Sequence, residues 1–310
     1  PRNTTEEKLA EIWQEVLGVE KVGITDNFFE LGGHSLMVAQ VLNRIHQSLS
    51  MQVSFKDFFA SPSIEGITKN LTGKAYAPIP KALEQESYPL TPSQQRLWIL
   101  SQLEGGSQAY NMPAVVTLRG ELNEAYFEKA FQYLIDRHEI LRTSFKSDKA
   151  TGEIRQYITP KEEVHFTIEV LDFIGKGESE VEDYLQTANN EAFNLEESPL
   201  IRATLLRRDN KEHLFFLSMH HIIGDGWSTE VLVSEVVENY NNLLNGNAKE
   251  DEILKEELAI QYKDYAVWLQ EEIKGEKYQK AEAYWLEQFE GELPVLELPS
   301  YKTRPLIQTY

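Results

Sequence analysis

The chain has 310 residues, 41% of them hydrophobic, with no cysteine and a formal net charge of −20. The length allows two domains with real cores, while the lack of cysteine excludes disulfides, thiolate metal ligands and cysteine nucleophiles. The acidic excess disfavours nucleic acid and anionic lipid as partners, and no apolar run or signal-peptide pattern is present, so we expect a cytoplasmic protein that neither binds nor crosses a membrane.

The first predicted element is an amphipathic helix. Thr4 and Glu7 have the spacing of a capping box, apolar residues then recur at helical intervals, and Gly18 ends the pattern. A loop over residues 18–34 follows, and a second apolar stripe predicts a helix over residues 35–49. The chain therefore begins with two amphipathic helices.

Two shorter helical patterns complete this part, SFKDFFA and SPSIEGITKNL. In the latter, Ser61 is the predicted N-cap and Pro62 the first helical residue. Residues 1–74 are thus predicted to form an all-α unit of four helices. Prolines interrupt the periodicity of residues 75–87, which is typical of a stiff linker between domains.

Residues 88–310 contain strand-like and helical patterns in alternation, which predicts an α/β fold. The predicted helices cover residues 122–138, 179–192 and 228–245. The predicted strands are AVVTLRG, IRQYIT, HFTIEVLD, LIRATLLRR and HLFFLSMHHII.

Ser35 lies in the string DNFFELGGHSL, at the start of the second helix. With no base nearby it is not a strong nucleophile, and the string is not the G-x-S-x-G elbow. A helix N-terminus favours an added phosphate, and Gly32 and Gly33 allow a close approach to the backbone. The residues alone leave two interpretations, a helix cap or a modification site.

The same string resembles the attachment motif of peptidyl carrier domains in nonribosomal peptide synthetases, and residues 1–74 match such a domain in length and helix order. The resemblance implies that Ser35 carries 4'-phosphopantetheine, added by a phosphopantetheinyl transferase, with an aminoacyl or peptidyl thioester on its thiol. It implies that Leu36 belongs to a surface recognised by partner domains. An upstream adenylation domain would load the arm.

A second informative string is SMHHIIGDGWSTE, at the end of an apolar run. Alternation along a strand predicts that His220 and His221 face opposite ways, one into the interior and one into a cavity. Adjacent strand histidines cannot easily share a metal ion, so no metal site is expected. Asp225 and Gly226 predict a tight turn, with the carboxylate paired to an arginine. A purely structural role for both histidines stays open.

HHIIGDG resembles the HHxxxDG motif of condensation domains and of the chloramphenicol acetyltransferase-like superfamily. SQQRLWIL, RHEILRTSF and YKDYAVW resemble the first, second and fourth condensation motifs, in order. The resemblance implies that His221 is catalytic, while His220, Asp225 and Gly226 are positional. Arg142 is the first candidate for the arginine that pairs with Asp225, and Arg137 is the second.

The implied reaction is attack of an acceptor amine, held on a downstream carrier domain, on the donor thioester, which forms a peptide bond. Trp227 and Ser228 resemble domains that join an L-donor to an L-acceptor, and GGHSL agrees with them. Residues 88–310 would be the N-terminal lobe of a two-lobed domain. Two alternatives remain: a carrier and docking fragment without chemistry, and a free-standing acyltransferase using coenzyme A, which leaves residues 1–74 unexplained.

Overall fold

The computed structural model describes residues 1–73, 78–103, 106–246 and 257–294. The chain divides into two compact units, Pro1–Pro78 and Ile79–Tyr310. Part of the predicted linker, residues 75–77, lies outside the described residues. Within the described ranges, no helix is long and apolar enough to cross a membrane.

Unit 1 contains four helices around one core. They are α1 (Thr4–Leu17), α2 (Ser35–Leu49), α3 (Phe55–Ala60) and α4 (Ile64–Asn70). The predicted apolar stripes of α1 and α2 are buried in this core, where Trp13 and Phe28 are fully buried and their rings meet edge to face at 4.8 Å. Gly18 ends α1 with a φ of 67°, the left-handed conformation that glycine adopts without strain.

Two predicted helix caps in this unit are wrong by one or two residues. The N-cap of α1 is Asn3, whose side chain accepts a hydrogen bond from Glu6 N at 2.9 Å, so Thr4 is already helical. The N-cap of α4 is Ser63, which accepts from Gly66 N at 3.1 Å. Pro62 lies outside α4 because its carbonyl accepts a hydrogen bond from Phe28 N at 2.9 Å, which fixes it in the preceding loop.

Unit 2 mixes helices and strands, as predicted. Its helices are α5 (Pro92–Ser101), α6 (Glu124–Arg137), α7 (Glu178–Asn189), α8 (Gly226–Asn245), α9 (Tyr262–Glu272) and α10 (Glu276–Gln288). Its strands are β1 (Tyr88–Pro89), β2 (Asn111–Arg119), β3 (Thr143–Ser147), β4 (Ile154–Ile158), β5 (Glu169–Asp172), β6 (Ile201–Arg207) and β7 (Glu212–His220).

The strands form two sheets, one ordered β1-β4-β3 and the other β2-β7-β6-β5. Only the β5–β6 pair is parallel among those described. Successive residues on β6 point to opposite faces, so Leu205 enters the main core with α6 and α8, while Leu206 packs with Val181 of α7. The second sheet therefore has helices on both faces and holds β7, the strand of the histidines, in its middle.

Candidate functional site

Ser35 is the first residue of α2, and its side chain is exposed. The N-cap residue, His34, makes no side-chain capping bond, and the first turn has no acidic residue. The first amides of α2 therefore keep their donors available, at the positive end of the helix dipole. This environment suits a phosphoester on the Ser35 hydroxyl. Leu36, the next residue, is 45% exposed.

The loop before Ser35 is fixed by Phe28, which is fully buried. Gly33 N donates to Phe28 O at 3.0 Å, and a Cβ on Gly33 would lie 2.3 Å from Phe28 Cε1. Only glycine fits at this contact, because any side chain would overlap the ring. The aromatic core thus sets the position of the loop two residues before Ser35.

The two adjacent histidines lie in different environments. His220 is the last residue of β7 and is fully buried, with ring centroids 6.5 Å from Tyr110 and 6.3 Å from Phe193. His221 follows the strand and is exposed, and its backbone N–H donates to Tyr110 O at 2.9 Å. One histidine is therefore buried, as predicted, but the other lies in the turn after the strand and is exposed, so strand alternation does not set its direction.

The hydrogen bonds fix which nitrogen of each ring carries the proton. His221 Nδ1 lies 2.8 Å from Gly224 O, and a carbonyl oxygen only accepts, so Nδ1 is the donor and the neutral ring leaves Nε2 with a free lone pair. His220 Nδ1 instead accepts from Ile222 N at 3.1 Å, so its proton is on Nε2. His221 is thus exposed with a free basic nitrogen, whereas His220 is locked inside.

Burial also sets the charge of His220. Loss of solvent, and to a smaller extent the nearby His221, lowers the pKa of His220 from 6.5 to about 4. His220 is therefore neutral at physiological pH. Its Nε2 has no hydrogen-bond partner among the described atoms, and a buried cation there would lack compensation.

Within the described residues, Asp225 pairs with neither of the predicted arginines, Arg142 and Arg137. Asp225 is the N-cap of α8: its Oδ1 accepts from Ser228 N at 2.8 Å and from Ser228 Oγ at 2.7 Å. Arg142 Nη1 donates to Thr159 O at 2.6 Å and Arg142 Nη2 lies 3.7 Å from Glu139 Oε1, while Arg137 pairs with Glu235. Both arginines are thus already engaged by other groups.

The sequence contains a signal for Asp225 as the N-cap of α8, but the apolar periodicity favoured a later helix start. Asp225 and Ser228 have N-cap and N3 spacing, but the apolar pattern placed the helix start at residue 228 instead of Gly226. A Cβ on Gly226 would meet nothing within 4 Å, so the space beside this residue is open. A cleft of about 710 Å³ in unit 2 is lined by Arg137 and Arg142 but by neither histidine.

The fold and the two sites together define a class: a small helical unit that presents a serine at a helix N-terminus, followed by an α/β unit with an oriented, exposed histidine. The family model described as Condensation domain matches residues 84–310, and the model described as Phosphopantetheine attachment site matches residues 7–71. The chain belongs to the condensation-domain family and carries, before that domain, the phosphopantetheine carrier segment of nonribosomal peptide synthetases.

Similar curated proteins are much longer. Surfactin synthase subunit 1 of Bacillus subtilis (strain 168) is 39% identical over 323 residues, which cover 100% of this chain and 8% of the relative. Gramicidin S synthase 2 of Brevibacillus brevis is 37% identical, over 100% of this chain and 7% of the relative. The chain thus spans about a tenth or less of the length of the curated relatives that it matches.

Two solved structures show the same fold. The X-domain in its complex with OxyB from teicoplanin biosynthesis has a TM-score of 0.62 and 27% identity, over 76% of this chain and 50% of that one. The first condensation domain of the calcium-dependent antibiotic synthetase has a TM-score of 0.58 and 21% identity, over 67% and 50% of the two chains. At 21% identity, the similarity to this condensation domain shows a shared fold and nothing further. The chain covers half of each neighbour.

Proposed function

We propose that this chain carries an aminoacyl or peptidyl thioester on Ser35 and contributes His221 to peptide-bond formation between carrier-bound substrates. One observation supports the second role above all: His221 is exposed, and the bond from its Nδ1 to Gly224 O leaves the lone pair of the neutral ring on Nε2. A neutral imidazole in this tautomer is a proton acceptor suited to neutral pH.

In the proposed reaction, the acceptor amine attacks the carbonyl carbon of the donor thioester. The new C–N bond forms, the C–S bond breaks, and the proton lost by the amine passes to His221 Nε2 and then to the leaving thiolate. Gly226 has no side chain, and the space beside it is open, which is consistent with a positional role at the start of α8. His220 takes no part in proton transfer, because its pKa of about 4 makes it a weak proton acceptor and its ring is buried.

The carrier function uses Ser35 as the attachment residue. Once bound, 4'-phosphopantetheine supplies a thiol that holds the acyl group as a thioester. The exposed hydroxyl and the free amides of the first turn of α2 suit the phosphoester. The proposed partners are a phosphopantetheinyl transferase, an upstream adenylation domain that loads the thiol and a downstream carrier domain that brings the acceptor.

The domain limits and the stereochemistry are further parts of the proposal. Residues 1–74 form a four-helix carrier bundle, residues 75–87 a linker, and residues 88–310 the N-terminal lobe of a chloramphenicol acetyltransferase-like condensation domain. The division of the chain between Pro78 and Ile79 falls inside the proposed linker and supports a boundary there, while Ala82 N donates to Asp264 Oδ1, so the end of this segment packs with unit 2. For a preference for an L-donor and an L-acceptor, Trp227 and the string GGHSL are the support, because the capping bond to Asp225 gives Ser228 a structural role of its own.

The test is a His221→Ala substitution in a chain that carries both lobes, assayed for amide product from loaded donor and acceptor carriers. We expect the rate to fall by about 10²- to 10⁴-fold, the usual contribution of a general base. His165→Ala is the matched control, since His165 is an exposed histidine elsewhere in the same unit. A rate for His221→Ala close to that of the wild type would refute the proton-transfer role.

A further inference from the structure

Gln94 connects α5, the helix of SQQRLWIL, to the turn that holds His221. This glutamine is 2% exposed. Its Nε2 donates to Ile222 O at 3.4 Å, across 128 residues of sequence. Ile222 is the residue directly after His221, so a side chain from a different motif contacts the histidine turn.

The other end of the Gln94 amide is also bonded. Oε1 accepts from Thr91 N at 3.1 Å, and the backbone N–H of Gln94 lies 3.3 Å from Thr91 Oγ1. Thr91 and Gln94 thereby form the capping box of α5, with Pro92 at the first helical position. Both ends of the amide are fixed, so the direction of the Nε2 donor is fixed as well.

Tyr262 extends this contact to α9, the helix of YKDYAVW. Its hydroxyl lies 3.2 Å from Thr91 Oγ1. Tyr262 therefore contacts Thr91, the residue that is hydrogen-bonded to Gln94, although Tyr262 and Thr91 are 171 residues apart in the sequence. Three of the motifs found in the sequence, carried by α5, the histidine turn and α9, meet in one hydrogen-bonded group.

The contact to Ile222 matters because the turn from His220 to Gly224 is short. Ile222 N donates to His220 Nδ1, and Ile222 O accepts from Gln94. Both polar backbone groups of Ile222 are thus held. Two residues later, Gly224 O lies 2.8 Å from His221 Nδ1, the bond that selects the tautomer.

We propose that Gln94 is a positioning residue for His221: it holds the Ile222 carbonyl and so keeps Gly224 O against His221 Nδ1, with Tyr262 supporting it through Thr91. The importance of this geometry for catalysis rests on the proposed function. The geometry itself is tested independently of turnover.

The experiment uses the full chain labelled with ¹⁵N-histidine, and long-range ¹H–¹⁵N spectra report the ring tautomers. Spectra are recorded at about pH 8.5, two units above the ordinary histidine pKa, because the two tautomers are distinguished on a neutral imidazole. The His221 signal is assigned with a His221→Asn variant. We expect the wild-type His221 to be protonated on Nδ1.

The informative variant is Gln94→Glu. A carboxylate at N3 still accepts from Thr91 N and keeps the capping box, but it cannot donate to Ile222 O. We expect the ratio of the Nδ1–H to the Nε2–H tautomer of His221 to fall about fivefold, the factor for one net hydrogen bond. Gln95→Glu is the matched control, because Gln95 is exposed on the same helix and receives the same charge; it should leave the ratio unchanged.

A folded Gln94→Glu variant with an unchanged His221 ratio would overturn the proposal. If thermal melting shows that this variant does not fold, Gln94→Met and Tyr262→Phe decide, with Tyr265→Phe as control. A lower ratio in either of the two supports positioning, and wild-type ratios in both refute it. A lowered ratio in the Gln94 variants together with a wild-type condensation rate for His221→Ala would instead count against the proposed function and leave the positioning role standing.

Discussion

His220 and His221 are adjacent in the chain but carry their ring protons on opposite nitrogens. His220 is protonated on Nε2 because its Nδ1 accepts from Ile222 N, and His221 is protonated on Nδ1 because it donates to Gly224 O. One ring is buried and the other exposed. The pair therefore combines a neutral interior residue and a surface base, and a substitution at each should have a different effect.

We expect His220 to make the stability of unit 2 depend on pH. Its folded-state pKa of about 4 lies below the ordinary 6.5, so the unfolded state binds a proton that the folded state does not. Stability is therefore complete above pH 6.5 and falls as the pH drops toward 4, by about 2 kcal/mol at about pH 5. Urea unfolding at several pH values measures it.

The comparison for this prediction is the His220→Leu variant, which lacks the titrating group. Its stability should fall less between about pH 7 and pH 5, by the same 2 kcal/mol. His165→Leu removes an exposed histidine and should keep the wild-type slope. Equal slopes for the wild type and His220→Leu would show that His220 is not held neutral in the folded protein.

Substitutions of Asp225 distinguish two possible roles of its carboxylate, a helix cap and an ion pair with an arginine. Asp225→Ala should lower the free energy of unfolding by about 1 kcal/mol, because Ser228 N loses its acceptor. Asp225→Asn keeps an acceptor oxygen and should be close to the wild type in urea unfolding. If Asn proved as destabilising as Ala, the carboxylate charge would be the important feature, and a pairing with an arginine would be restored as the explanation.

Gly33→Ala should destabilise unit 1 by about 1 to 3 kcal/mol, the usual result of overpacking. The added Cβ would lie 2.3 Å from Phe28 Cε1 and 2.7 Å from Phe28 O. Gly73→Ala is the control, since a Cβ there meets nothing within 4 Å. Thermal melting followed by helical circular dichroism measures both, and equal melting temperatures for the two variants would contradict the packing argument.

Ser35 is expected to accept one phosphopantetheine arm. After incubation with coenzyme A and a phosphopantetheinyl transferase, the intact mass of the wild type should rise by a single arm, and Ser35→Ala should stay unmodified. Ser48→Ala should be modified normally, because Ser48 is exposed on the same helix but far from its N-terminus. An unchanged intact mass of the wild type would refute the assignment of Ser35 as the attachment residue.

The apolar periodicity was sufficient to predict most elements. Gly18 ended α1 where the sequence placed the stop, and all five strand-like runs contain a strand of the second or first sheet. The exact caps were not predictable, since Asn3 and Thr4 are both good N-caps. In the structure the N-cap is Asn3. It lies next to an ion pair of 2.7 Å between Arg2 and Glu6, which the apolar periodicity of the sequence could not predict.

The candidate site was predictable in its residue types but not in its bonds. Alternation along β7 predicted different environments for His220 and His221, although His221 lies in the turn after the strand. The acceptor that fixes His221, Gly224 O, is a backbone carbonyl, which any residue at that position would supply, so the sequence contained no signal for it. The partner of Asp225 was mistaken for a distant arginine when a local serine supplies the bonds, because local capping competes with long-range pairing.

The hydrogen bonds that orient His221 come from main-chain carbonyls, those of Tyr110 and Gly224. The side chains of Gln94, Thr91 and Tyr262 brace this turn from outside. For engineering, the turn and these three side chains should therefore be kept constant, while other side chains around His221 can be varied without changing which ring nitrogen carries the proton.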